Sequence, residues 1–264
     1  MTLLEELKEF LKSILLWIYF FLGFTIFFFG FGLKQIEILG KEFFLPLPTI
    51  YSFAAQFFKL LQQNLLPSQV EIVVLNPLNA FLAQVMIGLS LAFILTFPLL
   101  LYRVIKFISP ALYRKEKKAI SKVVIFSVIL FISGCLFAYF ILIPSTFKIL
   151  YSFASVLEAS PLFTAYEFVS LTFVLAIAVG IMFQIPIFMV LLSRLGLVDA
   201  DFWKKNCKYI FLGFLIFSAI ITPDGTGVTM LLLFLPLAGL YLLGYSLIPK
   251  KRKKEKSKLI IKKF

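Results

Sequence analysis

The side chains able to do chemistry are few and unevenly placed. Glu5, Glu6 and Glu9 crowd a short leader, Glu116 stands among Arg114, Lys115, Lys117 and Lys118, Gln184 interrupts an apolar stretch, and Asp224 sits in the sequence TPDG. A carboxylate pair drawn from Glu5, Glu6, Glu9 and Glu116 is conceivable for acid–base work, but no metal-ligand spacing accompanies it. With 0 histidines, the chain lacks the commonest general base and metal ligand, and every Cys–His constellation with them. The two cysteines, Cys135 in an apolar run and Cys207 near a basic loop, lie in unlike surroundings and suggest packing rather than a disulfide framework. No cofactor and no metal is expected, and the chain does not read as an enzyme. The glutamates also have a plain reading, as charges on solvated helices beside a membrane, and Pro-Asp-Gly is a strong turn sequence in its own right.

The elements that must carry these residues are membrane elements. Of 264 residues, 61% are hydrophobic and 34 are phenylalanine, against about 45–50% apolar in ordinary soluble domains. Mean hydropathy is +1.02, so a soluble globule is excluded. The formal net charge of +13 comes from 26 Lys and Arg against 13 Asp and Glu, which gives the chain a basic face. Runs free of Asp, Glu, Lys and Arg extend from Ser13 to Leu33, Ile72 to Tyr102, Val123 to Phe147, Phe168 to Ser193 and Gly225 to Pro249. Each is long enough for the roughly 20 residues that cross a hydrocarbon core. A sixth, Tyr209 to Pro223, rises only about 22 Å and spans with snorkelling flanks or local thinning. The acidic leader and the length of the first run argue for a retained span rather than a signal peptide.

A competing segment, Phe43 to Phe58, carries Pro46 and Pro48 and is short. From Ser52 to Gln69, Gln56, Lys59, Gln62 and Gln63 recur at spacings of three and four, while Phe53, Phe57, Leu60, Leu61 and Leu65 fill the other side. That pattern predicts an amphipathic helix lying on the membrane surface in the first outer loop. With six spans both termini share one side. That side collects two basic residues before the first span, seven from Arg103 to Lys122, four from Arg194 to Lys208 and nine from Lys250 to Lys263, so 22 of 26. The positive-inside rule places it in the cytoplasm. A seventh span would spoil the asymmetry. The tail KKRKKEKSKLIIKKF reads as a disordered cationic segment against anionic lipid, at about 1 kcal/mol per basic residue, and no nucleic-acid fold accompanies it.

Gln184 lies midway along the fourth run in GIMFQIPIF, two residues before Pro186, where a kink frees backbone groups. Two readings fit: an amide satisfying another helix, or a polar spot in a cavity open to water or substrate.

Taken together, these stretches resemble the TatC family, the multi-span receptor subunits of the twin-arginine protein translocase. The leader LEELKEFL looks like the family's LxELRxRL, and LTFPLLLYRVIKFISPALYRKEKK is similar to its second span end and first cytoplasmic loop. GCLFAYFILIP, AVGIMFQIPIFMVLL and IITPDG resemble its third span, fourth span and last outer turn. The resemblance implies an all-α, polytopic inner-membrane protein with six transmembrane helices, short fifth and sixth spans, and both termini cytoplasmic. It implies one membrane domain over residues 1–249 followed by the basic tail 250–264.

The implied role is binding Arg-Arg signal peptides of folded cargo proteins and nucleating a translocation complex driven by the proton-motive force. Implied partners are TatA- or TatB-type single-span subunits, the lipid bilayer and further copies of the chain. The family's arginine-contacting glutamates match Glu6 and Glu116, and Phe107, Pro110, Leu112 and Tyr113 match the loop positions around them. A carboxylate accepts two parallel hydrogen bonds from a guanidinium fork, which Lys cannot reproduce. The family's leader arginine is Lys8 here, its upstream histidine position is Leu3, and the last outer turn, Pro223 and Asp224, has one proline where many members have two. The mid-membrane position acidic in many members is Gln184, so proton exchange by a carboxylate is not available there. A small-solute transporter or channel is the alternative, but neither repeated halves nor mid-membrane charges are evident.

Overall fold

The computed structural model describes residues 3–38, 41–66, 71–108, 117–158 and 162–248. Long apolar runs have no water to satisfy their backbone, so they close their own hydrogen bonds as helices. α1 (Leu3–Gly30) and α3 (Pro77–Ile108) are the simplest cases. They lie antiparallel, as ordered contacts along both show. Phe10 stacks on Phe107, Trp17 Nε1 donates to the Thr96 carbonyl at 3.1 Å, Gly88 faces Thr25 and Phe29, and Phe29 meets Phe81 edge-on.

The third run forms α4 (Lys117–Phe137), a single π turn (Ala138–Leu142) and α5 (Ile143–Val156). Pro144 follows the π turn; its ring cannot donate and would clash with an earlier carbonyl, and the wider turn accommodates it. The helix thus runs on past Phe147, where the charge-free run ends, to Val156. The fourth run breaks into α6 (Ala165–Met182) and α7 (Ile185–Arg194) at Phe183 and Gln184, just ahead of Pro186. α8 (Ala200–Ile221) and α9 (Val228–Leu247) close the chain's described part. Among the described residues, five helical segments are long and apolar enough to cross a membrane: Lys8–Gly30, Pro77–Phe107, Ser121–Val156, Ala165–Arg194 and Val228–Leu247. α8 has 22 residues, but Asp201, Lys204, Lys205 and Lys208 occupy its first half.

One end of the bundle gathers the start of α1, the end of α3, the start of α4 and the end of α7. Ile105, Leu130, Ile187 and Leu191 pack together there with Val123 and Val124. Trp203 at the start of α8 donates to Ser193 Oγ at 2.9 Å, and Tyr241 near the end of α9 donates to the Trp203 carbonyl at 2.6 Å. Lys8, Lys12, Arg103, Lys106, Lys122, Arg194, Lys204, Lys205 and Lys208 belong to this end, which we call the basic end.

The opposite end departs from a purely helical expectation. β1 (Phe31–Ile38) and β2 (Lys41–Pro48) pair antiparallel from Phe31↔Pro48 to Ile38↔Lys41, so the proline-bearing Phe43 segment is a strand and not a span. β3 (Glu71–Val73) pairs parallel with β4 (Leu162–Thr164). α2 (Phe53–Leu65) is the expected amphipathic helix, capped by Ser52. Its apolar side meets protein rather than a lipid surface: Ala54, Leu61 and Leu65 are buried, Phe57 lies against Phe173, and Phe58 meets Phe168 edge-on.

Small residues bring the helices close. A Cβ on Gly134 would stand 2.9 Å from Gly180 Cα, and one on Gly244 would stand 2.8 Å from Pro186 Cα. Without a hydrophobic force between helices in lipid, such backbone approach is a main source of packing energy.

Candidate functional site

Three groups of side chains stand out, at three levels of the bundle. At the basic end, α1 carries the leader and α3 delivers the chain into the stretch that holds Glu116. Phe107, one residue before the end of α3, stacks on Phe10 with ring centroids 4.1 Å apart and planes at 26°. Phe107 remains 41% exposed, so one side of the stack is open. Lys8 and Glu9 are exposed on the same helix turn. The backbone of Glu6 lies in α1, one helical turn before Phe10. The side chain of Glu6, and Pro110, Leu112, Tyr113 and Glu116 entirely, lie outside the described residues, as does the tail 250–264.

Gln184 is the second group. Burial is nearly complete, at 1% exposure, and Nε2 donates across to the Ser127 carbonyl on α4 at 3.1 Å. Oε1 has no hydrogen-bond partner, and neither has the hydroxyl of Ser127, also fully buried. Of the two readings the sequence left open, the interhelical bond is present, yet it satisfies only half of the amide. An unpaired buried acceptor costs about 1–3 kcal/mol, which makes this level of the bundle polar and under-satisfied.

The third group caps α8 and α9 at the end opposite the basic one. Pro223 is exposed, while Asp224 is buried, its carboxylate accepting from the hydroxyls of Thr226 and Thr229. Burial alone would raise the Asp224 pKa. The Thr226 and Thr229 hydroxyls and the backbone N–H groups of Asp224 and Thr226 outweigh it and hold the carboxyl below its ordinary value. Gly225 and Gly227 take positive φ of 62° and 76°, which lets the chain wrap around the carboxylate before α9 begins. The turn expected from Pro-Asp-Gly is therefore built inward, around an ion.

The structure brings Phe107 to the leader but keeps Gln184 and Asp224 apart from it, since Gln184 is mid-bundle and Asp224 ends the opposite side. Sequence reasoning missed Phe10, Ser127, Thr226 and Thr229. Thr226 and Thr229 were within local reach of Asp224, and Phe10 follows Glu6 by one turn. Ser127 lies 57 positions from Gln184 and leaves no local signal. Among the described residues, no group of three or more His, Cys, Asp or Glu could hold a metal ion.

Residues 2–236 match the family described as "Sec-independent protein translocase protein (TatC)". A protein of that name from Cenarchaeum symbiosum is 33% identical over 234 residues, covering 88% of this chain and 89% of the relative. One from Aquifex aeolicus is 34% identical over 194 residues, covering 72% and 80%. A crystal structure described as the twin arginine translocase receptor TatC, in the detergent DDM, superposes with a TM-score of 0.75 at 30% identity, over 92% of this chain and 99% of that one.

Proposed function

The chain belongs to the TatC family of Sec-independent protein translocase proteins, and from that premise we propose that it is the receptor for twin-arginine signal peptides. It is a component of a protein translocase with membrane-spanning helices. In the proposed reading, Glu6 and Glu116 accept the guanidinium forks of the two arginines, Lys8, Pro110, Leu112 and Tyr113 surround them, and Phe107 supports the apolar part of the signal. Exposed ion pairs contribute only about 0–1 kcal/mol, so the signal's apolar stretch must supply the rest of the affinity, against the spans.

The observation that carries the reading is the antiparallel pairing of α1 with α3, which starts the acidic leader and the Glu116 stretch from one point at the basic end. The same reading makes α8 a sixth, short span and puts both termini and the basic end in the cytoplasm, by the positive-inside rule. Residues 1–249 form the membrane domain, in the inner membrane, and 250–264 a cationic tail. TatA- or TatB-type single-span subunits dock along α8 and α9, further copies join the complex, and the proton-motive force drives transport.

Site-specific photocrosslinking from positions flanking Glu6 and Glu116 to an Arg-Arg signal peptide tests this, with a Lys-Lys peptide as control. Crosslinks lost with Lys-Lys and with Glu116→Ala are expected. Equal labelling by both peptides would sink the receptor reading and reopen that of a small-solute transporter.

A further inference from the structure

α8 turns one face to the bundle and the other away from it. Trp203, Cys207, Phe211, Phe214 and Phe217, at spacings of three and four, pack against the core. The opposite face carries Lys204, Lys205 and Lys208, all exposed, and then Tyr209, Leu212, Ile216 and Ile220, each more than half exposed. Among the described residues no carboxylate pairs with any of the three lysines. The Lys208 ammonium lies over the Tyr209 ring, 4.9 Å from its centroid. Asp201 stands in the first turn, where it suits the positive end of the helix dipole.

Tyr241 of α9 fixes the level of these lysines. Its ring packs among Trp203, Phe211 and Phe214, with centroids 6.4, 5.3 and 6.1 Å away, so it stands beside the turn that carries Lys208. From Tyr241, α9 continues to Leu247, about 9 Å nearer the basic end, and Leu242, Leu243 and Leu247 are exposed. Lys204 precedes Lys208 by only about 6 Å of rise. All three cations therefore project at a depth where the neighbouring helix still presents apolar surface. On α8 itself, Lys208 to Ile221 rises about 20 Å, against about 30 Å of hydrocarbon core. A cation at that depth is costly until an anion meets it, and Asp201 lies about 10 Å of rise before Lys208.

Resting on the reading above that makes α8 a short span, we propose that this face binds one anionic diacyl phospholipid. Its phosphate diester sits among the ammonium groups of Lys204, Lys205 and Lys208, Tyr209 stands at its glycerol, and its acyl chains follow Leu212, Ile216 and Ile220. Side chains on a helix lean toward its N-terminus, so the lysine stems gather their charges on the basic-end side of this apolar ridge. A soluble anion would gain nothing from the ridge, and a zwitterionic headgroup would bring its own cation to the lysines. The bound headgroup lets a span with about 20 Å of charge-free length keep its place beside longer neighbours.

Native mass spectrometry of the full chain in detergent tests this with dioleoyl phosphatidylglycerol, and with phosphatidylcholine and phosphatidylethanolamine of the same chains. One phosphatidylglycerol is expected to bind more tightly than either zwitterionic lipid. Each lysine near an anionic headgroup is worth about 5-fold in affinity. Lys204→Gln with Lys208→Gln should therefore weaken phosphatidylglycerol binding about 25-fold, and Lys204→Arg with Lys208→Arg should keep it. Lys12→Gln with Lys122→Gln removes the same charge from exposed positions on α1 and α4 and should leave binding unchanged. Equal losses in the two Gln pairs would reduce the site to non-specific attraction and overturn the inference. So would equal binding of the three lipids, or undiminished binding by the Lys204 and Lys208 pair. Ile216→Cys, in a chain with Cys135→Ser and Cys207→Ser, tests the underlying reading separately. In lipid nanodiscs a water-soluble maleimide is expected to leave it unlabelled; labelling would remove α8 from the membrane, so that the span reading fails first and takes this inference with it.

Discussion

Replacing Gln184 by Met separates what the residue does for the fold from what it does for the protein. The amide contributes one interhelical bond, Nε2 to the Ser127 carbonyl at 3.1 Å, and such bonds in membrane proteins average about 0.6 and reach about 1.7 kcal/mol. Against it stands the buried, unpartnered Oε1, which costs about 1–3 kcal/mol. The Ser127 carbonyl lies inside α4 and keeps its own helical partner, while the Gly180 carbonyl at the break between α6 and α7, to which Nε2 also donates at 3.5 Å, loses a contact already at the long edge of the hydrogen-bond range. Met has similar length and fills irregular space well. The balance runs from about 0.7 kcal/mol of destabilisation to about 2.4 kcal/mol of stabilisation. Gln184→Met is thus expected to unfold at the same or a higher denaturant midpoint than the wild type in detergent, while protein transport in membranes falls. A loss of stability beyond about 2 kcal/mol would refute the reasoning, because the amide would then be better satisfied than the geometry allows. Unchanged transport with unchanged stability would refute the functional half.

Three other perturbations follow from particular contacts. Gly244→Ala places a Cβ 2.8 Å from the backbone at Pro186, which cannot swing aside, and should cost about 1–3 kcal/mol in the same unfolding assay; a neutral result would mean α7 and α9 slide freely. Asp224 has a folded pKa below its unfolded value of about 3.9, so its contribution to stability is complete above that value and is lost as pH falls through the folded pKa. Asp224→Asn should therefore flatten the acid limb of the stability profile, and an acid limb as steep as wild type would assign it to other carboxylates. Tyr241→Phe removes the 2.6 Å bond to the Trp203 carbonyl, with an expected loss of about 0.5–1.5 kcal/mol and no change in Arg-Arg peptide binding; a binding defect would tie the α8–α9 junction to recognition.

Much of this architecture is local in origin. Runs without charges become helices wherever water is absent, whatever their neighbours do, so the spans and the amphipathic α2 were legible from spacing alone. The leader and loop motifs were legible for a different reason, since residue identities at fixed offsets carry a family resemblance that periodicity does not. The hairpin of β1 and β2 was not foreseen: Pro46 and Pro48 excluded a span, but strand pairing depends on a partner across a turn.

By itself, then, the sequence determined where the long apolar helices lie along the chain, its excess of basic charge, and which residue types were available for recognition, because these follow from the solvent each segment can tolerate. Only the tertiary structure decided that Phe10 meets Phe107, that Gln184 reaches Ser127 with half its amide unanswered, and that Asp224 turns inward onto Thr226 and Thr229. Contacts between helices are set by which faces and small residues allow two backbones to approach. Gly134 against Gly180 and Gly244 against Pro186 show how that choice is made by atoms far apart in the chain.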